Sequence, residues 1–153
     1  MSTDPIERSI HVTASSEEAF RIFTAEMTTW SPLQTHTRGD DEIKTERVVV
    51  QERTGGRVYE VLSDGNEGDW GVVKVWEPGR RLVLDWRPND EDRPYTEVEV
   101  LFEPADGGGA TVSLTHRRWE LLGPVADEAR AEYDTGWAYV FDDRFGAAAG
   151  RPA

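Results

Sequence analysis

Cysteine is absent from this 153-residue chain, which excludes disulfides, thiolate metal ligands and a cysteine nucleophile. That absence suits a reducing, cytoplasmic setting. No apolar run approaches the length that spans a bilayer, and Met1 is followed by STDPIERS, without the basic start and apolar stretch of a secretion signal. Positive charge is also in short supply: 17 Lys and Arg stand against 30 Asp and Glu, for a net charge of −13. Such a surface does not suit nonspecific binding to nucleic acid or to anionic membranes. There are three histidines, His11, His36 and His116, on separate elements, and none stands at metal-ligand spacing from a carboxylate. There is no Gly-x-Ser-x-Gly elbow, no Walker loop and no dinucleotide fingerprint. The sequence therefore points to no metal, no cofactor and no identifiable catalytic residue.

Aromatic side chains are what the chain does have. Six Trp, five Phe and four Tyr supply large buried areas to a hydrophobic fraction otherwise modest for a single domain. Residues 124–145 carry the only long helical pattern. Ala126, Ala129, Tyr133, Trp137, Val140 and Phe141 share one arc, and Glu128, Thr135, Tyr139 and Asp142 lie opposite. Gly123 and Pro124 suit the start of this helix, Gly146 suits its end, and residues 147–153 read as a disordered tail.

Upstream, Ile6, Arg8, Ile10 and Val12 alternate with polar residues as a half-buried strand, imperfect at Arg8. Ser15 and Glu18 have capping-box spacing ahead of a helix over residues 16–25, with Phe20 and Phe23 inward. A further turn places Trp30 near the domain edge, and residues 34–42 read as a mobile polar loop. Strands follow over residues 44–52, 57–62, 69–76, 81–86, 96–103 and 110–118, separated by Gly-rich and Pro-containing turns. Residues 87–93 form a charged loop. The order β-α-α-β-β-β-β-β-β-α predicts an α+β domain over residues 1–146. In it an antiparallel meander, its first strand beside its last, holds one long helix on its inner face.

Several spaced motifs then fall in a familiar order. Gly55-Gly56, Asp64-Gly65, Gly71-Val72-Val73, Pro78, Arg81-Leu82-Val83 and Trp86 are followed by VSLTHRRWELL at residues 112–122 and by Gly136-Trp137. Together with ASSEEAFRIFT near the front, this resembles the AHSA1-like family, relatives of the C-terminal domain of the activator of Hsp90 ATPase within the START/Bet v 1-like (SRPBCC) superfamily. The resemblance runs from about Ile6 to Phe145. It implies a helix-grip fold: a curved antiparallel sheet around a long C-terminal helix, with two short helices after the first strand. The superfamily implied includes lipid carriers, polyketide cyclases, hormone receptors and co-chaperone domains, so fold does not choose among functions.

His116 shares parity with Val112 and Leu114 and should project from the sheet's inner face. It is either an acid–base or ligand-binding group, or a histidine bonded into the core wall. Tyr59, Glu60, Trp70 and Trp86 from neighbouring strands, with Tyr133 and Trp137 from the helix, could line a cavity for a flat apolar ligand or simply fill a core. The faces of the strands carrying Tyr59 and Trp70 are ambiguous. Arg130 and Arg144 lie within the helix's apolar arc and either neutralise a ligand's anionic group or carry their charge out to water. The candidate ligand-binding set is Trp30, Tyr59, Trp70, Trp86, His116, Arg130, Tyr133 and Trp137. The leading expectation is a binding module for a small hydrophobic or aromatic molecule. A cyclase- or hydrolase-type enzyme using the same cavity is one alternative, and a protein-interaction domain acting with an Hsp90-type chaperone is another.

Overall fold

Alternation of apolar and polar residues builds most of the sheet directly. In β6 (Thr96–Pro104), Thr96, Val98, Val100 and Phe102 face inward and are buried. They lie opposite His116, Leu114 and Val112 of β7 (Ala110–Arg117) in an antiparallel register, Val98 facing His116. The computed structural model describes residues 3–31, 42–87 and 94–151; the loops expected at 34–42 and 87–93 fall almost entirely outside them. The remaining strands are β1 (Ile6–Val12), β2 (Thr45–Val50), β3 (Arg57–Leu62), β4 (Glu67–Glu77) and β5 (Arg81–Trp86). They form one seven-stranded antiparallel sheet in the order β1-β7-β6-β5-β4-β3-β2. The first strand thus lies beside the last, as the meander requires. Register shifts between Thr45 and Arg47, Val58 and Tyr59, and Val73 and Val75 bend the sheet around its contents.

Ser15 caps α1 (Ser16–Ala25), its hydroxyl accepting the Glu18 N–H at 3.1 Å, and Phe20 and Phe23 are buried. Trp30, at the end of the short α2 (Met27–Trp30), is not at an edge. It is buried against Phe23 and Phe145, and its indole donates to the Ile22 carbonyl at 2.8 Å. A buried indole N–H needs such an acceptor, and the end of α1 supplies one.

The C-terminal helix starts with α3 (Ala126–Trp137), after a tight turn at Trp119–Val125 in which Gly123 sits at φ 59°. It continues as a π-helical segment, Ala138–Phe145, and then α4 (Gly146–Ala149). Ala126, Ala129, Trp137, Phe141 and Phe145 are buried, and Tyr139 is exposed. Arg8 on the inner side of β1 is explained by this helix: it donates to Asp142 at 2.7 Å and reaches Asp134 at 3.4 Å. Opposite charges on facing elements make the imperfect strand position a strand-to-helix tie.

Gly146 does not end the helix, and the segment after it is not disordered up to Arg151. Gly146 is buried, and a Cβ there would stand 3.0 Å from the Arg151 side chain and 3.5 Å from Ile10, so it is a close-approach glycine. The helix stops at Gly150, in the left-handed region at φ 85°. Ala149 and Gly150 carbonyls accept the Ala14 and Thr13 N–H groups, each at 3.1 Å, and Ala149 is buried.

The outer face of β6 carries a row of carboxylates that is not simply wet. Glu97 accepts from Arg117 at 2.7 Å and Lys74 at 3.4 Å; Glu99 accepts from Arg117 at 2.7 Å and Arg81 at 2.6 Å. Burial pushes both carboxyls up, but the Arg117 hydrogen bond and the other neighbouring cations outweigh it and leave both below the usual range.

Candidate functional site

His116 is the centre of the inner face, fully buried where β7 ends. Its hydrogen bonds fix its tautomer. The Trp137 indole can only donate, and it donates to His116 Nδ1 at 3.0 Å. Nδ1 is therefore unprotonated, and Nε2–H points to Thr96 Oγ at 2.6 Å. The Thr96 hydroxyl passes its own proton to the Trp86 carbonyl at 2.9 Å. The chain Trp137 to His116 to Thr96 to Trp86 joins α3 to β7, β6 and β5 and uses both ring nitrogens of His116 and the Thr96 hydroxyl. Burial pushes the His116 pKa down from 6.5 to about 3, so the ring is neutral. With both nitrogens engaged, it is arranged to bolt helix to sheet.

The strand end that positions His116 also supplies its neighbour. Arg118 takes a left-handed conformation, φ 74°, uncommon for a non-glycine residue. It swings Trp119 under the imidazole, ring centres 4.1 Å apart, with Trp119 Nε1 donating to the His116 carbonyl at 2.9 Å. Tyr133 of α3 completes this side, 4.9 Å from His116 and 5.5 Å from Trp119.

A row of indoles runs from here across the sheet. Trp137 and Trp86 are 6.0 Å apart, and Trp86 and Trp70 are 5.6 Å apart and nearly perpendicular. At the far end Glu60 is fully buried, accepting the Trp70 indole N–H. The bulge between Val58 and Tyr59 fits this arrangement, with Val58 and Glu60 inward. Trp86 differs from its neighbours: its Nε1 is buried and has no hydrogen-bond partner among the described residues.

Five of the eight candidate residues are therefore brought together: Trp70, Trp86, His116, Tyr133 and Trp137. Three lie elsewhere. Tyr59 faces outward, with the Arg57 guanidinium 4.3 Å above its ring. Trp30 belongs to the separate cluster with Phe23 and Phe145. Arg130 donates to the Asp4 carbonyl at 2.6 Å, and Arg144 to the Trp30 carbonyl at 2.8 Å. Thr96 and Trp119 were not foreseen. Thr96 could have been, since it shares parity with Val98; Trp119 lies past the strand end, where alternation carries no information. Among the described residues, no group of three or more His, Cys, Asp and Glu side chains could hold a metal ion, and no helix is long and apolar enough to cross a membrane.

Comparison with known proteins places this geometry. The family profile described as Activator of Hsp90 ATPase homolog 1-like protein matches residues 13–150. Among curated proteins no sequence matches significantly. Among solved structures, the self-sacrificing resistance protein CalC from Micromonospora echinospora aligns with a TM-score of 0.70 at 23% identity, over 95% of this chain and 94% of that one. An HSP90 activator from Plasmodium falciparum aligns with a TM-score of 0.66 at 20% identity, over 97% of both chains. At those identities the likeness shows the fold alone. An anthrahydroquino-gamma-pyrone synthase is 30% identical over 96% of this chain and 99% of its own, with a TM-score of 0.61. A sheet curled around one long helix and a family match over most of its length say the same thing: the chain belongs to the activator of Hsp90 ATPase homolog 1-like family, a fold that supports ligand-binding or accessory roles.

Proposed function

We propose that the protein binds a small, flat hydrophobic molecule between the inner face of its sheet and α3, along the row formed by Trp70, Trp86 and Trp137. The observation that carries this reading is the company those indoles keep. A core needed only for stability would be apolar or fully hydrogen-bonded. This one holds a buried carboxyl group, Glu60, at one end and at its middle an indole N–H without an acceptor among the described residues. Leaving such a group unmade costs about 1–3 kcal/mol, which a ligand's polar atom would relieve. The 30%-identical synthase supports the choice of ligand class, because its name specifies a fused aromatic product. His116, neutral and bonded at both nitrogens, serves here to hold the wall of the site.

The test is a thermal-shift screen of flat aromatic, steroid-like and fatty-acid compounds, with tryptophan emission as a second signal. Flat aromatics should raise the melting temperature, by roughly 2.7 kcal/mol of stability at a hundredfold excess over Kd. Trp137→Leu should weaken binding, and because it leaves His116 Nδ1 without its donor it should also cost about 1–3 kcal/mol of stability. If no compound of any class stabilises the wild type, the reading fails.

A further inference from the structure

Four of the five buried tryptophans have an acceptor for the indole N–H. Trp30 donates to Ile22 O, Trp70 to Glu60, Trp119 to His116 O and Trp137 to His116 Nδ1. These acceptors come from a helix end, a strand and a strand's last turn, so the fold finds acceptors for indoles in varied settings. Trp86, only 6% exposed and flanked by Trp70 and Trp137, is left with its donor unused among the described residues. An indole N–H can only donate. Whatever meets it must accept.

The charges around the row narrow the acceptor further. Glu60 contributes a carboxyl group and no positive charge. His116 is neutral, burial having pushed its pKa down to about 3. The two cations on the inner arc of the helix are committed elsewhere, Arg130 to Asp4 O and Arg144 to Trp30 O. A carboxylate or phosphate head drawn into this row would lose its hydration and meet the buried carboxyl group of Glu60, a large penalty. A ketone or quinone oxygen loses far less, and it lies in the plane of an aromatic ring that can stack among the indoles.

Resting on the binding reading above, we propose that Trp86 is the specificity-determining residue of the site: its Nε1–H receives a neutral carbonyl oxygen of a fused aromatic ligand, selecting ketones and quinones over hydrocarbons and over aromatic or fatty acids.

The experiment compares anthraquinone, anthracene and anthracene carboxylate on wild type, Trp86→Phe and Trp70→Phe, by tryptophan quenching and thermal shift. Trp86→Phe keeps an aromatic face and removes a donor that has no partner among the described residues, so any fall in its melting temperature comes from the smaller ring and not from a broken hydrogen bond. Wild type should bind anthraquinone about five- to tenfold more tightly than anthracene, the worth of one hydrogen bond, and anthracene carboxylate most weakly. Trp86→Phe should lose the preference for the quinone, its affinities for quinone and hydrocarbon falling to the same level. Trp70→Phe, whose indole serves Glu60, should lower both affinities and keep their ratio. Indole N–H resonances of the wild type read the same bond without substitution: one should move downfield with anthraquinone relative to its position with anthracene. Equal affinity of wild type for quinone and hydrocarbon, a preference that survives in Trp86→Phe, or tighter binding of the carboxylate would each overturn the inference while leaving the binding site standing. If none of the three probes binds wild type, the binding reading falls, and the inference with it.

Discussion

Acidification should weaken this fold well before its carboxylates titrate, and His116 is the reason. In the unfolded chain its imidazole takes up a proton near pH 6.5; in the fold it does so only near pH 3, because burial disfavours the charged ring. A folded-state pKa below the unfolded one means that the unfolded chain binds more protons between those values. Stability is therefore fully present above pH 6.5 and is lost as pH falls towards 3. The slope is about 1.4 kcal/mol per pH unit for one proton. Between about pH 6.5 and pH 5 the loss is about 2 kcal/mol, and over the whole window about 5, against a total of roughly 5–15 kcal/mol for a domain. Glu97 and Glu99, whose carboxyls lie below their ordinary 4.5, contribute only at lower pH. The assay is urea unfolding of wild type and His116→Gln from about pH 7 to about pH 5, with free energies from linear extrapolation. A glutamine amide can accept from the Trp137 indole and donate to Thr96, but it cannot take up a proton in this range. The variant's stability should fall less steeply than wild type's by about 1.4 kcal/mol per unit. Parallel curves for the two proteins would refute the buried, neutral state of His116.

Val98→Asp should abolish folding, since it buries an unpaired charge opposite His116, whereas Glu99→Gln should cost about 0.5–1 kcal/mol through weakened pairing with Arg81 and Arg117. Similar melting temperatures would mean that the two faces of β6 have been exchanged. Gly136→Ala should stabilise α3 by about 0.5–1 kcal/mol, because a Cβ there meets nothing within 4 Å; a lower melting temperature would reveal a close contact at that position. Ending the chain at Phe145 should destabilise by about 2–3 kcal/mol, through loss of the two carbonyls that bind Thr13 and Ala14 and of the buried Ala149. An unchanged denaturation midpoint would show that this docking contributes nothing.

Legibility in the sequence followed whether local pattern and tertiary role agreed. Val98, Val100 and Phe102 alternate cleanly with charge, so strand, register and inner face could all be read, and His116 took its inward direction from Val112 and Leu114. In β3 the two levels disagree: the inner face takes Glu60 and the outer face takes Tyr59. No hydropathy rule places a glutamate inside and a tyrosine outside. The assignment depends on Trp70 supplying a donor to one and Arg57 covering the other, contacts between residues 10 and 2 positions apart. Gly146 was misread for a related reason. Glycine stops helices when its backbone turns left-handed and permits close packing when it does not, and only the closeness of the Arg151 side chain and of Ile10 on β1 decides between them. Trp119 owes its place to one strained residue, Arg118, which alternation does not register.

The pairing of β1 with β7 has a consequence for how the chain reaches its fold. Strands β2 to β7 join through successive hairpins, so each can pair with its sequence neighbour as soon as both exist. β1 cannot: Ile10 waits for Val112, and Thr13 waits for Gly150. During synthesis the first strand emerges long before its partner, and for that interval the apolar side of Ile6, Ile10 and Val12 has no strand beside it. Closure over so long a separation is slow, and an open edge recruits other chains. Arrival of the helix's last turn at Thr13 is then the step that ends the exposure, which makes the two extremities of the chain the latest to be secured and the place where misassembly would begin.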